Sequence, residues 1–547
     1  MADLVLQNGT IYDGSGSPPY QGDVAITGDQ IAALGAPGTL DGTTKLDVSG
    51  LAVAPGFINM LSWSVESLIE DGRSQSEIRQ GVTLEVMGEG TSMGPLSEEM
   101  RESRKRSILG NEDIEYEIEW TTLGEYLDYL ERRGVSTNVA SFVGSSTLRI
   151  HEIGYDDRPP TEGELARMCE LVREAMREGA MGMSAALIYP PAAYAKTEEL
   201  IALAKAVSEF DGMYISHLRS EGPFFVEAAD ELIRIAREAN VTSEIYHLKA
   251  AGRDNWGKMA QVIQHVEAAK SEGLHVTADM YLYPAGGTGL NACIPPWAHD
   301  GGDEAMMARL KDPETRARII NDMKTPTDKW ENMYLQVDSP NGILLAGFKN
   351  DMLKPLTGKR LATVAAERGT SPEDTLVDLL IEDGGRIFTM YFVMSEDNIR
   401  RQVQLPWVSF CSDAESMAPE GNFLKRHPHP RAYGNFARVL GTYVRDLGLI
   451  TLEEAIRRLS WFPASNLKIK RRGALRPTYF ADVVVFDPAT IQDHATFEDP
   501  HHYATGMQHV FVNGQQVIKD GEHTGAKPGR VVRGPGWTGH KGEVSRP

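Results

Sequence analysis

The first 50 residues alternate apolar and polar positions around tight turns, as in Leu4-Val-Leu-Gln-Asn-Gly, Ile11-Tyr-Asp-Gly, Asp23-Val-Ala-Ile-Thr-Gly-Asp and Ile31-Ala-Ala-Leu-Gly. A period of two with Asn-Gly and Gly-Asp punctuation predicts short β-hairpins. The same signature returns near the other end, in Ala481-Asp-Val-Val-Val-Phe-Asp and Val510-Phe-Val-Asn-Gly-Gln-Gln-Val. The two segments predict one small β-sandwich domain assembled from residues 1–55 and 467–547.

Between them, strand-like runs alternate with helix-like runs, the pattern of parallel β/α units. Eight strands are expected: Ala52–Leu61, Gly81–Glu89, Asn138–Gly144, Ala180–Ile188, Met213–Leu218, Ser243–Leu248, His275–Tyr283 and Trp407–Ser412. Glu162–Arg177, Thr197–Phe210 and Pro223–Asn240 carry apolar residues at helical spacing and fit the crossovers. The expected fold is therefore α/β, a TIM-like (β/α)₈ barrel over residues 56–466, with functional groups at the carboxyl ends of its strands. The connection from Tyr283 to Trp407 is far too long for one βα unit. A lid-like insertion is expected at about 291–346, including an amphipathic stretch at Asp303–Lys324.

Composition narrows the function classes. With 547 residues, 41% of them hydrophobic, the chain can bury a large core. The formal charge of −22 disfavours nucleic acid and anionic membranes as partners. No run approaches the ~18 apolar residues of a membrane span, and the start shows no secretory pattern, so the expected setting is cytoplasmic. Cys169, Cys293 and Cys411 have no paired spacing and read as core thiols rather than a disulfide framework.

Candidate chemistry lies at the strand ends. His217 ends the fifth strand, His247 the sixth, and Asp413 the eighth. In a barrel these places converge on one end of the axis, which suits metal ligands at strands five and six and a carboxylate base at eight.

Motifs along nearly the whole chain resemble the amidohydrolase superfamily and, within it, the D-aminoacylase (N-acyl-D-amino-acid deacylase) family. They are Val53-Ala-Pro-Gly-Phe-Ile, Arg79-Gln-Gly-Val-Thr, Ser216-His-Leu-Arg, His247-Leu-Lys-Ala-Ala-Gly, Asp279-Met-Tyr-Leu-Tyr-Pro-Ala-Gly, Ser412-Asp, His427-Pro-His-Pro-Arg-Ala-Tyr-Gly and Pro463-Ala-Ser-Asn-Leu. The resemblance implies a β-sandwich with a barrel, zinc, and hydrolysis of an amide next to a carboxylate. It carries the ligand roles of strands five and six to His217 and His247, the proton shuttle to Asp413, and recognition of the substrate carboxylate to Lys249, Tyr281 and Arg431.

Three departures from the family pattern matter. Where the superfamily has His-x-His at the end of strand one, this chain has Leu61 and Trp63, neither able to bind metal. Both are expected to occupy the second metal's space and to line the substrate site, which leaves one zinc per chain. The family's cysteine ligand after strand two is missing, and Val86-Met-Gly-Glu-Gly-Thr-Ser puts Glu89 at or beside its place, with Glu85 as second choice. A His₂Glu set is an established catalytic zinc arrangement. Ser145 stands where relatives commonly have a histidine after strand three, and Gly287 lies near where they have a serine. His427 and His429 are expected to shape a loop.

The expected activity is zinc-dependent cleavage of N-acyl amino acids or related small amides. Two readings stay open beside it: hydrolysis of a small peptide, cyclic amide, ester or lactone, and a non-catalytic binding barrel. A homo-oligomer is also left open.

Overall fold

Strands from both ends of the chain meet in a single nine-stranded sheet. The computed structural model describes residues 1–106, 114, 116–327 and 329–539. Ala52–Pro55 pairs antiparallel with Val483–Phe486, which joins the amino-terminal strands to the carboxyl-terminal ones. Alternation decides which face each residue serves: Val483, Val485 and Val53 enter an apolar cluster internal to this region, whereas Val484, Phe486, Ala52 and Ala54 join the main core shared with the barrel. The Asn513-Gly514 pair is a hairpin turn with both residues in the left-handed region (φ 49° and 78°). Asn8-Gly9 is not a turn. It forms a bulge within the single strand Ala2–Ile11, where the register slips between Leu6 and Gly9.

The barrel strands are β1 (Phe57–Ser62), β2 (Val82–Met87), β3 (Asn138–Ser141, resumed at Val143–Gly144), β4 (Gly182–Ala186), β5 (Met213–His217), β6 (Thr242–Ile245), β7 (Val276–Met280) and β8 (Val408–Phe410). The expected strand Ala52–Leu61 is thus two strands broken at Gly56, one in each sheet. Neighbours run parallel, and β3 divides its bonds, its first half to β2 and its second to β4. Asp413 N–H to the Leu61 carbonyl at 2.9 Å and a parallel Ser62–Ala414 bridge close the ring between β8 and β1. The strand residues are almost all buried on both faces, as parallel strands under helices must be.

Crossover helices form where the spacing predicts them. Glu162–Arg177 begins with a reciprocal capping box between Thr161 and Glu164. Phe225–Ala239 buries Phe225, Ala228, Ala229, Leu232, Ile235, Ala236 and Ala239 and stops at Asn240, which is left-handed. Truncating a residue such as Leu232 to Ala would cost about 2–5 kcal/mol.

The insertion between β7 and β8 extends beyond the expected 346. Phe388–Tyr391 is the central strand of its own three-stranded sheet, flanked by Gly286–Gly289 and Ile343–Gly347. Asp303–Lys324 is two helices rather than one, divided where Asp312 caps the second and Pro313 opens it. The insertion touches the strand-end loops: Gly252 N–H donates to Val393 O, Met394 N–H to Pro284 O, and Glu331 accepts the Glu221 N–H. The carboxyl-terminal stretch also differs from expectation. Gly529 and Val532 N–H groups bond to Val135 and Val139 carbonyls, so this stretch runs along the start of β3 instead of joining the nine-stranded sheet. Residues 540–547 lie outside the described residues. No described helix is long and apolar enough to cross a membrane.

Candidate active site

Three strand ends deliver a carboxylate and two imidazoles to one point. β2 ends at Met87, and Gly88 and Gly90 (φ 104° and 62°) turn the chain on either side of Glu89. A side chain at Gly88 would press to 2.4 Å from the Phe142 carbonyl, so only glycine allows this turn. Ser184 Oγ fixes the turn, accepting from Gly90 N–H at 3.1 Å and donating to the Gly88 carbonyl. His217 is the last residue of β5. His247 follows β6 in a left-handed conformation (φ 34°), its N–H held by Asp279 Oδ1 at 2.6 Å. Such a backbone is uncommon away from glycine and clusters at functional sites.

Glu89 Oε1 lies 3.1 Å from His217 Nδ1 and 2.9 Å from His247 Nε2. The three ligand-capable atoms all lie within 4.8 Å of one another, and the residues are 2–4% exposed. Two imidazole nitrogens and one carboxylate oxygen at this spacing fit a divalent cation, and the set has the His₂Glu composition that catalytic zinc uses elsewhere. Burial pushes the Glu89 carboxyl up, but His247 and His217 more than offset it and hold it well below the usual carboxylate range. Burial lowers His217. For His247, burial and Lys249 act downward, but Glu221 and Glu89 prevail and bring it to about 10.

The outer nitrogens of both histidines face Glu221, a residue that sequence reasoning missed. Its Oε1 is 3.1 Å from His247 Nδ1 and its Oε2 3.6 Å from His217 Nε2, while Lys249 Nζ lies 2.6 Å from Oε1. Against the cost of burial, His217, Lys249 and His247 hold Glu221 ionised, at about 2. Lys249 Nζ is also 2.6 Å from His247 Nδ1; when Nε2 holds a metal, Nδ1 carries the proton and Lys249 donates to Glu221 instead. A signal for Glu221 was present, since it stands four residues after His217 in the turn leaving β5.

Asp413 shares the same barrel end, left-handed at φ 47°. Trp63 Nε1–H donates to its Oδ1 at 3.0 Å, and Arg431 Nη1 lies 2.6 Å from its Oδ2. Arg431 also stacks over Tyr281, its guanidinium carbon 4.3 Å from the ring centre, with Lys249 Nζ 5.7 Å from the same ring. Burial pushes the Tyr281 hydroxyl up to about 12. Glu89, His217, His247, Lys249, Tyr281, Arg431, Asp413 and Trp63 thus form one connected cluster. Glu85 is excluded from the ligand set by position, being bonded to Ser62 (2.8 Å), Ser74 (2.5 Å) and Thr137 (2.8 Å). Leu61 is fully buried in the main core and meets Asp413 through its carbonyl. His427 and His429 bond to the carbonyls of Phe497 and Ala285, which makes both loop-shaping residues.

An eight-stranded parallel barrel carrying two histidines and two carboxylates at its strand ends defines a metal-dependent hydrolase of the amidohydrolase class. The amidohydrolase family model matches residues 425–518. The D-aminoacylase of Alcaligenes xylosoxydans xylosoxydans is 36% identical over 531 residues, 97% of each chain. Among solved structures, a D-aminoacylase described by one-metal activation and second-metal attenuation of a binuclear centre superposes with a TM-score of 0.81 at 32% identity, covering 97% of this chain and 100% of that one. The N-acyl-D-glutamate deacylase of Bordetella bronchiseptica, solved with zinc and a phosphonate mimic of the tetrahedral intermediate, gives 0.80 at 29% identity over 97% and 99%. The chain belongs to the D-aminoacylase, or N-acyl-D-amino-acid deacylase, family of amidohydrolases.

Proposed function

We propose that this protein hydrolyses the amide bond of small N-acyl amino acids, with one zinc ion held by Glu89, His217 and His247. The convergence of those three side chains beside Asp413 carries the reading. When bound, the ion supplies Lewis-acid polarisation of the scissile carbonyl and a lowered pKa for water. The rest is the work of the chain. Asp413 takes a proton from the attacking water and returns it to the leaving amine nitrogen. The substrate carboxylate enters where buried donors lack acceptors: Arg431 Nε and the Tyr281 hydroxyl make no hydrogen bond, and Lys249 Nζ lies 5.7 Å from the Tyr281 ring centre. A guanidinium fork suits a carboxylate. A side chain at Gly287 would meet Arg431 Nη2 at 3.4 Å and one at Gly286 the Tyr281 hydroxyl at 3.4 Å, so these glycines keep that space open. Trp63, partly exposed against the main core to which Leu61 belongs, offers an apolar wall to the acyl group.

The polar members of the cluster are largely buried, with Lys249 and Asp413 each 7% exposed and Arg431 2%, while Trp63 at its edge is partly exposed. The insertion between β7 and β8, whose Glu331 accepts the Glu221 N–H, is read as the lid that opens to admit substrate. A cytoplasmic setting belongs to the same proposal, supported by three thiols that are all unpaired. The test is metal analysis with a panel of N-acyl amino acids of both configurations. About one equivalent of zinc and turnover of at least one panel member are expected. A zinc-loaded protein that cleaves none of them would sink the proposal.

A further inference from the structure

The strand-one departure does more than remove two ligands. Asp413 has both carboxylate oxygens occupied, Oδ1 accepting from the Trp63 indole N–H at 3.0 Å and Oδ2 ion-paired with Arg431 Nη1 at 2.6 Å. Its backbone is fixed as well, since Asp413 N–H donates to the Leu61 carbonyl and Trp63 N–H to the Ala414 carbonyl, both at 2.9 Å. An indole nitrogen is a donor only and offers a cation no lone pair, and Leu61 offers none either. A cation approaching Oδ1 would meet the positive end of an N–H dipole, with the Arg431 charge behind it. Lys249, Tyr281, Asp279 and Cys411 are the other titratable groups that feel the Asp413 charge.

We propose that Trp63 is a positioning residue for Asp413 whose indole N–H stands in for a second metal, and that this chain is consequently free of the second-metal attenuation described for the related D-aminoacylase. The inference rests on the proposed hydrolase reading for its kinetic arm, whereas its metal-counting arm is read without turnover. A fixed N–H orients the carboxylate without a second ion, so the orientation of Asp413 does not depend on zinc concentration.

The experiment uses the full chain loaded with one zinc and titrated with excess zinc, bound metal being measured by equilibrium dialysis and hydrolysis in parallel. The wild type should hold about one equivalent, with activity flat across the excess, as for an open three-ligand site. Trp63→Phe keeps the ring and loses the N–H. It should still hold one equivalent while kcat falls about tenfold at nearly constant KM, the size of one charge-assisted hydrogen bond. The Leu61→His/Trp63→His variant should take up a second equivalent and become sensitive to excess zinc. A second equivalent in the wild type with falling activity would overturn the inference, and so would wild-type kcat in Trp63→Phe. If the protein proved inactive on every N-acyl amino acid yet dialysis gave one equivalent for the wild type and two for the double variant, the metal-exclusion claim would stand while the substrate reading failed.

Discussion

Glu221→Gln isolates the one carboxylate that faces the outer nitrogens of both histidines. Glu89 Oε1 faces His217 Nδ1 and His247 Nε2, so these are the nitrogens left to hold a metal. With a metal on those nitrogens the opposite ones carry the protons, which places His247 Nδ1–H 3.1 Å from Glu221 Oε1 and His217 Nε2–H 3.6 Å from Oε2, while Lys249 donates to Oε1 at 2.6 Å. Glutamine keeps the shape but turns one acceptor into a donor, which opposes one imidazole N–H. One charge-assisted bond is lost, about 1.5–3 kcal/mol. At about 1.4 kcal/mol per decade this is roughly a 10–100-fold weaker zinc affinity, the range found when a ligand's outer hydrogen-bond partner is removed. Competition against a chromophoric chelator at neutral pH measures it directly. An affinity within twofold of wild type would show that Glu221 does not fix the histidine tautomers and would refute the argument.

Other predictions follow from neighbouring groups. Glu89→Ala should abolish tight zinc binding, and full metal occupancy on elemental analysis would move the third ligand elsewhere. Asp413→Asn keeps size and loses basicity, so turnover should fall ~10²–10⁴-fold with metal retained, the range for a general acid–base group; wild-type rates would remove its role. Burial, then the Glu221 charge, raises the Glu331 carboxyl from 4.5 to about 7. The sign follows from the raised value: both states are protonated below pH ~4.5, the penalty on the folded state grows between there and ~7, and it is complete above. Glu331→Gln should therefore stabilise the zinc-loaded protein by about 1–3 kcal/mol near pH 8 and by nothing near pH 4. Equal gains in urea unfolding at both pH values would contradict this.

The elements whose physics is local were legible in the sequence. The crossover helix Glu162–Arg177 appears with the predicted bounds because spacing and the Thr161–Glu164 box act within one helix. The Asn513-Gly514 hairpin was readable for the same reason. Elsewhere local rules misled. Asn8-Gly9 carries a turn signal but lies inside a strand paired on both sides, where the sheet turns the same left-handed preference into a bulge. Likewise Ala52–Leu61 reads as one apolar run, and only the competition of two sheets for its partners breaks it at Gly56.

The candidate ligands and base divide the same way. The sequence by itself determined the strand-end positions of Glu89, His217, His247 and Asp413, because the βα repeat places every strand's carboxyl end at one mouth and motif order names the strand. What only the tertiary structure decided was which side chains engage one another there. It set Glu89 rather than Glu85 between the imidazoles, because the glycines flanking Glu89 turn it inward while Ser62, Ser74 and Thr137 hold Glu85 away. It brought Glu221 behind both histidines, and Trp63 and Arg431 onto Asp413 across 350 and 18 residues of sequence separation respectively. Hydrogen bonds between strand ends depend on barrel closure, and no pattern along a single segment encodes the distance between two of them.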